Sequence, residues 1–344
     1  MIKYSSKRNK DIDIIRGIGI ILVVCGHIGL IRRFAYLFHV PLFFFASGYF
    51  FNKNQNFSEF LYKGIRRYYL PFVVAELIFM FFHNSLVGII GYNAFTLQDI
   101  QTLIPKMLCF QNVCARLGQL WFLLALFSVS ILYFMLSQIF NFKMKFVVLG
   151  AMVLLHFLLY RKTNIFEFEV CALFEVLLVM TMIYGIGNIF GGYEIYLRKF
   201  ISFKGGCIAL FLLFIFTKIP STTYDVRTNY YENTLMAFSS MLVGIYFSLC
   251  VAKLLKKIVI LSSFIAIIGQ YSLWILVGQS VLYKVVGIAL EGTLHEMAIK
   301  LFQLLAAVLI PLGCACLFEY IKSVSNKTIF KITTKLEPIF KDYD

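Results

Sequence analysis

The chain has 344 residues, of which 60% are hydrophobic and only 14% charged, with 38 Phe and 20 Tyr. A typical soluble protein carries about 25% charged residues, and a soluble fold of this size could not keep so much apolar surface from water. Disordered chains are poor in aromatics, so disorder, a soluble enzyme and a secreted disulfide scaffold are all excluded. The composition leaves an all-α polytopic membrane protein.

The N-terminal residues 1–11 are basic and are expected to lie in the cytoplasm. A spanning helix needs about 20 mostly apolar residues. Candidate spans follow at 12–31, 34–51, 69–91, 119–140, 146–160, 170–190, 200–219, 234–252, 264–290 and 298–320, ten in all. Together they predict a transmembrane domain over 12–321 and a basic cytoplasmic tail over 322–344. The fifth is short and needs flanking residues such as Lys143, Lys145, Arg161 and Lys162 to snorkel. The ninth belongs to an apolar run from Ile258 to Leu290, too long for one straight span, with a break expected at Gly269-Gln270-Tyr271-Ser272. Broken helices at membrane depth are tolerated where they line a cavity.

The net charge of +15 would suggest nucleic acid in a soluble protein. With ten spans, 21 of the 32 Lys and Arg residues fall on the side of the termini and 9 on the other. Positive charge collects in cytoplasmic loops, so both termini are expected inside, and no nucleic-acid partner is needed. Cys25, Cys171, Cys207 and Cys250 lie in apolar runs and read as packing residues. Cys109 and Cys114 share one loop and could pair if it is extracytoplasmic. No metal-ligand spacing is present.

The first span carries the densest polar signal. Asp13, Arg16 and His27 all belong to it, and an ionisable residue within a span marks a functional site by default. Arg16 and His27 are 11 residues apart, which is three helical turns plus roughly 20°. They therefore share one face and lie about 16 Å apart along the axis. Asp13 is within pairing reach of Arg16. One polar stripe through the bilayer implies a lined cavity or tunnel. The second span begins Phe38-His39-Val40-Pro41 and places His39 near the same outer layer, with Ser47 and Gly48 permitting close approach. His83, His156 and Glu175 could join that layer as weaker members, but a satisfied bundle interior is the better reading of all three.

These residues carry a resemblance. Asp13-x-x-Arg16-Gly17 followed by His27 resembles the first-helix signature of membrane acyltransferase family 3, the O-acetyltransferases of bacterial surface polysaccharides. Agreement continues in Phe38-His39-x-Pro41-Leu42-Phe43-Phe44 with Ser47-Gly48-Tyr49, in Arg66-Arg67-x-x-Leu70-Pro71-Phe72, in Leu120-Trp121-Phe122-Leu123, and in Ile268-Gly269-Gln270-Tyr271-Ser272-Leu273. The chain departs from the family at Gln279, where members often carry a His; Gln cannot act as a base.

The resemblance implies an integral membrane O-acyltransferase of a bacterial cytoplasmic membrane. It would move acetyl from acetyl-CoA, a co-substrate rather than a resident cofactor, to a hydroxyl of a carbohydrate acceptor. Its partners would be acyl-CoA, the carbohydrate and the lipid bilayer. His27 is expected as general base, since a sugar hydroxyl needs one, with His39 as second base, hydroxyl-orienting donor or oxyanion stabiliser. Arg16, Asp13, Arg66 and Arg67 are expected at the donor, where guanidinium groups suit phosphates, and Ser47, Trp121 and Gln279 in support. Polar and aromatic residues in the outer loops 92–118 and 220–233 suit a sugar without specifying one. The rival reading is a transporter or flippase for a lipid-linked sugar or small metabolite; the absence of an internal repeat weighs against it.

Overall fold

The computed structural model describes residues 9–90, 94–108, 115–141, 144, 147–151, 153–154, 169–219 and 233–341. Among them, all regular structure is helical: α1 (Lys10–His27), α2 (Arg32–Ala35), α3 (His39–Tyr49), α4 (Phe57–Gly64), α5 (Leu70–Ile90), α6 (Leu97–Leu108), α7 (Trp121–Ile139), α8 (Glu169–Gly192), α9 (Glu194–Leu197), α10 (Phe203–Lys218), α11 (Thr234–Leu255), α12 (Val259–Gln270), α13 (Ser272–Leu290) and α14 (Glu296–Lys341). These helices overlap nine of the ten segments expected to span. The fifth segment, 146–160, falls mostly outside the described residues.

Among the described residues, four helical segments are each long and apolar enough to cross a bilayer: Leu117–Ile139, Leu235–Leu255, Ser272–Leu290 and Glu296–Ser325. A fifth forms if α9 and α10, which meet at a 72° bend, count as one span. The ninth segment is interrupted where the sequence requires it, with α12 ending at Gln270 and α13 starting at Ser272. The helix α14 continues from the last span through the segment expected as a tail, to Lys341. One departure is plain. The loop 92–118 contains the helix α6, which Thr96 and Asp99 start by a reciprocal capping box: the Thr96 amide donates to the Asp99 carboxylate at 2.8 Å and the Asp99 amide to the Thr96 hydroxyl oxygen at 3.1 Å. The Thr96 hydroxyl and amide hold the Asp99 carboxyl below its usual range.

The ends of α1 are both defined by its sequence. Asn9 caps the first turn by accepting from the Asp11 amide at 2.9 Å. At the other end Gly29 adopts φ +75°, a left-handed conformation that costs a residue with a Cβ about 1 kcal/mol or more. The amides of Gly29 and Leu30 then donate back to the carbonyls of Gly26 and Cys25. The turn makes His27 the last helical residue.

Two close helix crossings organise the core. On α1, a Cβ added at Gly17 would lie 2.2 Å from the Ile265 carbonyl oxygen, and one at Gly269 of α12 would lie 1.8 Å from that of Asp13. Between α3 and α8, Gly48 meets the Tyr184 carbonyl while Gly187 and Gly191 meet those of Phe45 and Tyr49. Small residues let backbones approach where lipid supplies no hydrophobic drive between helices. At the Lys10 end a polar latch ties four segments together. Tyr49 accepts from the Asn9 amide at 2.5 Å and donates to Glu194. Arg198 pairs with both Glu194 and Asp11, and Lys256 reaches Asp11 at 2.8 Å.

Candidate functional site

A cavity of about 400 Å³ runs beside α1. The α1 wall is Arg16, Ile20, Val23 and His27, the i, i+4, i+7, i+11 stripe that the sequence predicts. His39, Phe43 and Ser47, one face of α3, stand opposite. Arg67 and Tyr68, the segment Gly118–Leu126 in part, and Gly269, Gln270, Ser272, Leu273 and Leu276 complete the enclosure. The break between α12 and α13 therefore opens onto the cavity. Among the described residues no carboxylate lines it, so its charge is cationic at one end and set by two imidazoles at the other.

Arg16 is tightly held for a charged group, with its side chain 12% exposed. It donates to the Ala46 carbonyl at 3.3 Å, faces Asp13 at 3.9 Å, and lies 5.4 Å from the Phe50 ring centre. Asp13 is buried behind it and does not reach the cavity wall. Asp13 thus compensates the guanidinium charge, and Arg16 presents it.

His27 and His39 differ in how they are fixed. The His39 ring is 7% exposed, and its Nδ1 is 2.7 Å from the Ala35 carbonyl oxygen. A carbonyl can only accept, so Nδ1 carries the proton and the Nε2 of the neutral ring is an acceptor. In that tautomer Nε2 cannot donate to an oxyanion or to a hydroxyl oxygen, which leaves His39 the role of an acceptor toward a hydroxyl, as base or as orienting group. His27 is solvent-accessible and stacks on Tyr283, ring centres 6.5 Å apart at 9°. Among the described residues it forms no hydrogen bond, so both ring nitrogens remain available to substrate.

The remaining expected residues divide. Ser47, Trp121 and Arg67 line the cavity. Arg66 does not: it is exposed, donates to the Tyr62 hydroxyl at 3.4 Å and lies over that ring. The cause is local. The two arginines are neighbours on one helical segment, so their side chains point in different directions and only Arg67 reaches the wall. Gln279 is fully buried with neither amide atom partnered, and it is not on the wall. His83 stacks on Phe95 at 3.9 Å and is not on the wall. His156 and the side chain of Glu175 lie outside the described residues, as do Cys109 and Cys114. Sequence reasoning missed Tyr36, Tyr68, Gln119 and Gln270. Gln119 and Gln270 stand inside or beside recognised runs, while the tyrosines had no periodic signal of their own.

The family model of the acyltransferase domain, acyltransferase family 3, matches residues 9–320. No curated protein and no solved structure matches the chain. The match covers the whole cavity-forming part of the molecule, and the chain belongs to this family.

Proposed function

We propose that this membrane acyltransferase takes an acyl group, acetyl in the simplest case, from acyl-CoA and esterifies a hydroxyl of a sugar or surface polysaccharide. The observation that carries the reading is the cavity along α1, with guanidinium groups at one end and imidazoles at the other. Acyl-CoA is an anionic head on a long thin arm ending in a thioester. Arg16 and Arg67 suit the head, and the roughly 16 Å from Arg16 to His27 suits the arm. The positive-inside bias supports a cytoplasmic donor entering at the Arg16 end. The acceptor then enters at the His27 end, from outside the cell, in a bacterial cytoplasmic membrane.

In this mechanism the acceptor hydroxyl gives its proton to a ring nitrogen of His27 as its oxygen attacks the thioester carbonyl. The C–S bond breaks, an ester forms, and the thiolate of CoA takes the proton from the imidazolium. His39, with Nε2 held as an acceptor, orients a second hydroxyl of the sugar.

The test uses sealed vesicles. Inside-out vesicles given external acetyl-CoA should acetylate a lumenal glycan, and right-side-out vesicles given the same donor should not. Equal reaction in both would put donor and acceptor on one face and overturn the through-membrane reading. Transport of labelled metabolite without any acyl transfer by the purified protein would overturn the enzyme reading.

A further inference from the structure

Gln119 occupies the cavity wall and has no place in the charge stripe or the imidazole layer. It sits in the short turn Ala115–Leu120 ahead of α7. Its Nε2 donates to the Leu276 carbonyl at 3.1 Å and to the Ser280 hydroxyl at 3.1 Å, both on α13. Because a carbonyl only accepts, the first bond fixes which end of the amide faces α13. Both amide hydrogens are used, and turning the group over would forfeit the bond to the Leu276 carbonyl. Among the described residues nothing donates to Oε1. Gln119 is thus a rigid acceptor on a cavity wall whose neighbours Phe122, Leu123 and Leu276 are apolar.

Its height in the cavity follows from α13. Tyr283 stacks on His27. Ser280 lies three residues below Tyr283 and Leu276 seven, about 4.5 and 10 Å along the helix. The Gln119 amide is therefore anchored one to two helical turns beneath the imidazoles, on the way to Arg16. A thioester placed at the imidazoles carries its first amide N–H two methylene groups behind the sulfur, at this depth. An N–H drawn into an apolar channel needs an acceptor there.

We propose that Gln119 Oε1 accepts from the secondary amide next to the thioester of the acyl donor, which makes Gln119 a positioning residue that selects amide-bearing thioesters. The inference rests on the acyl-CoA reading above. It explains why an amide is locked in place between the imidazoles and the guanidinium end.

The experiment compares two donors with the purified full-length protein. One is S-acetyl-N-acetylcysteamine. The other is its ester isostere, S,O-diacetyl-mercaptoethanol, in which oxygen replaces the N–H. The wild type should favour the amide donor by about tenfold in kcat/KM, the worth of one well-made hydrogen bond. Gln119→Leu should lose that factor on the amide donor, keep the ester rate, and bring the ratio to about one. Ser280→Ala retains Oε1 but loosens the amide, so its ratio should fall between the two. Equal loss on both donors would make Gln119 a scaffold residue only, and an unchanged ratio would mean no contact; either overturns the inference alone. A wild type that turns over neither thioester, nor acetyl-CoA, overturns the acyltransferase reading and this inference with it.

Discussion

The crossing of α1 and α12 predicts that a single methyl group at position 269 disables the site from behind. In Gly269→Ala the new Cβ would stand 1.8 Å from the Asp13 carbonyl oxygen and 2.7 Å from the Gly17 nitrogen. Both neighbours are backbone, so neither can rotate away. Ordinary contact begins at 3.4 Å, which requires the two helices to part by about 1.6 Å. Overpacking of this kind costs about 1–3 kcal/mol, well within what a membrane bundle survives. The functional cost is larger, because Gln270, Ser272 and Leu273 follow closely on Gly269 and line the same cavity as Arg16. A displacement of about 1 Å can lower a rate about 100-fold. The assay is acetyl transfer and thermal unfolding of the purified protein, with Gly313→Ala as control. Gly313 is helical and a Cβ there meets nothing within 4 Å, so the control should keep its rate and gain a fraction of a kcal/mol. Full activity and an unchanged Tm in Gly269→Ala would refute the argument that this contact sets the cavity.

His27→Ala should lower transfer by about 10²–10⁴-fold, the usual range for a lost general base, with normal membrane insertion; near-wild-type surface acetylation at equal expression would sink that role. Arg16→Lys should weaken acyl-CoA binding in calorimetry, since a point charge cannot serve the Ala46 carbonyl, Asp13 and a phosphate through one planar fork; full binding by the Lys variant would show that only charge matters. Gln279→Met should raise the Tm or leave it unchanged, because it removes two buried amide atoms without partners, each unmade bond costing about 1–3 kcal/mol. A marked loss of both Tm and activity there would mean that Gln279 has a partner in the working state.

The first helix was legible because its signal is periodic. Arg16, Ile20, Val23 and His27 repeat at helical spacing, and a residue on such a stripe faces the same way whatever surrounds it. The break at Gln270–Ser272 was legible because an apolar run that long cannot stay straight across a bilayer. Arg66 and Arg67 were expected together at the donor because both stand at the cytoplasmic face, but neighbours on a helix point different ways, and only Arg67 lines the cavity. Gln119 was invisible for a different reason. Its meaning lies in a bond to Leu276, 157 positions away, and no local pattern encodes that. The helix α6 was hidden inside an apparent polar loop, although Thr96-x-x-Asp99 is a legible cap once attention falls on it.

The partnership of α1 with α12 has a bearing on how the protein is made. Lys10 donates to Ser263, a residue synthesised 253 positions later. At about 5–20 residues per second, α1 waits roughly 10–50 s at the ribosome before the helix that covers it exists. Throughout that interval its polar stripe lacks the wall that α12 and α13 supply, and lipid cannot satisfy a guanidinium. The latch residues Asn9 and Asp11 can be engaged earlier by Tyr49, Glu194 and Arg198, so the nascent chain has a holding arrangement for its first helix. A chain cut short before residue 259 would be left in that state, with the stripe of Arg16 and His27 facing a wall that is never built.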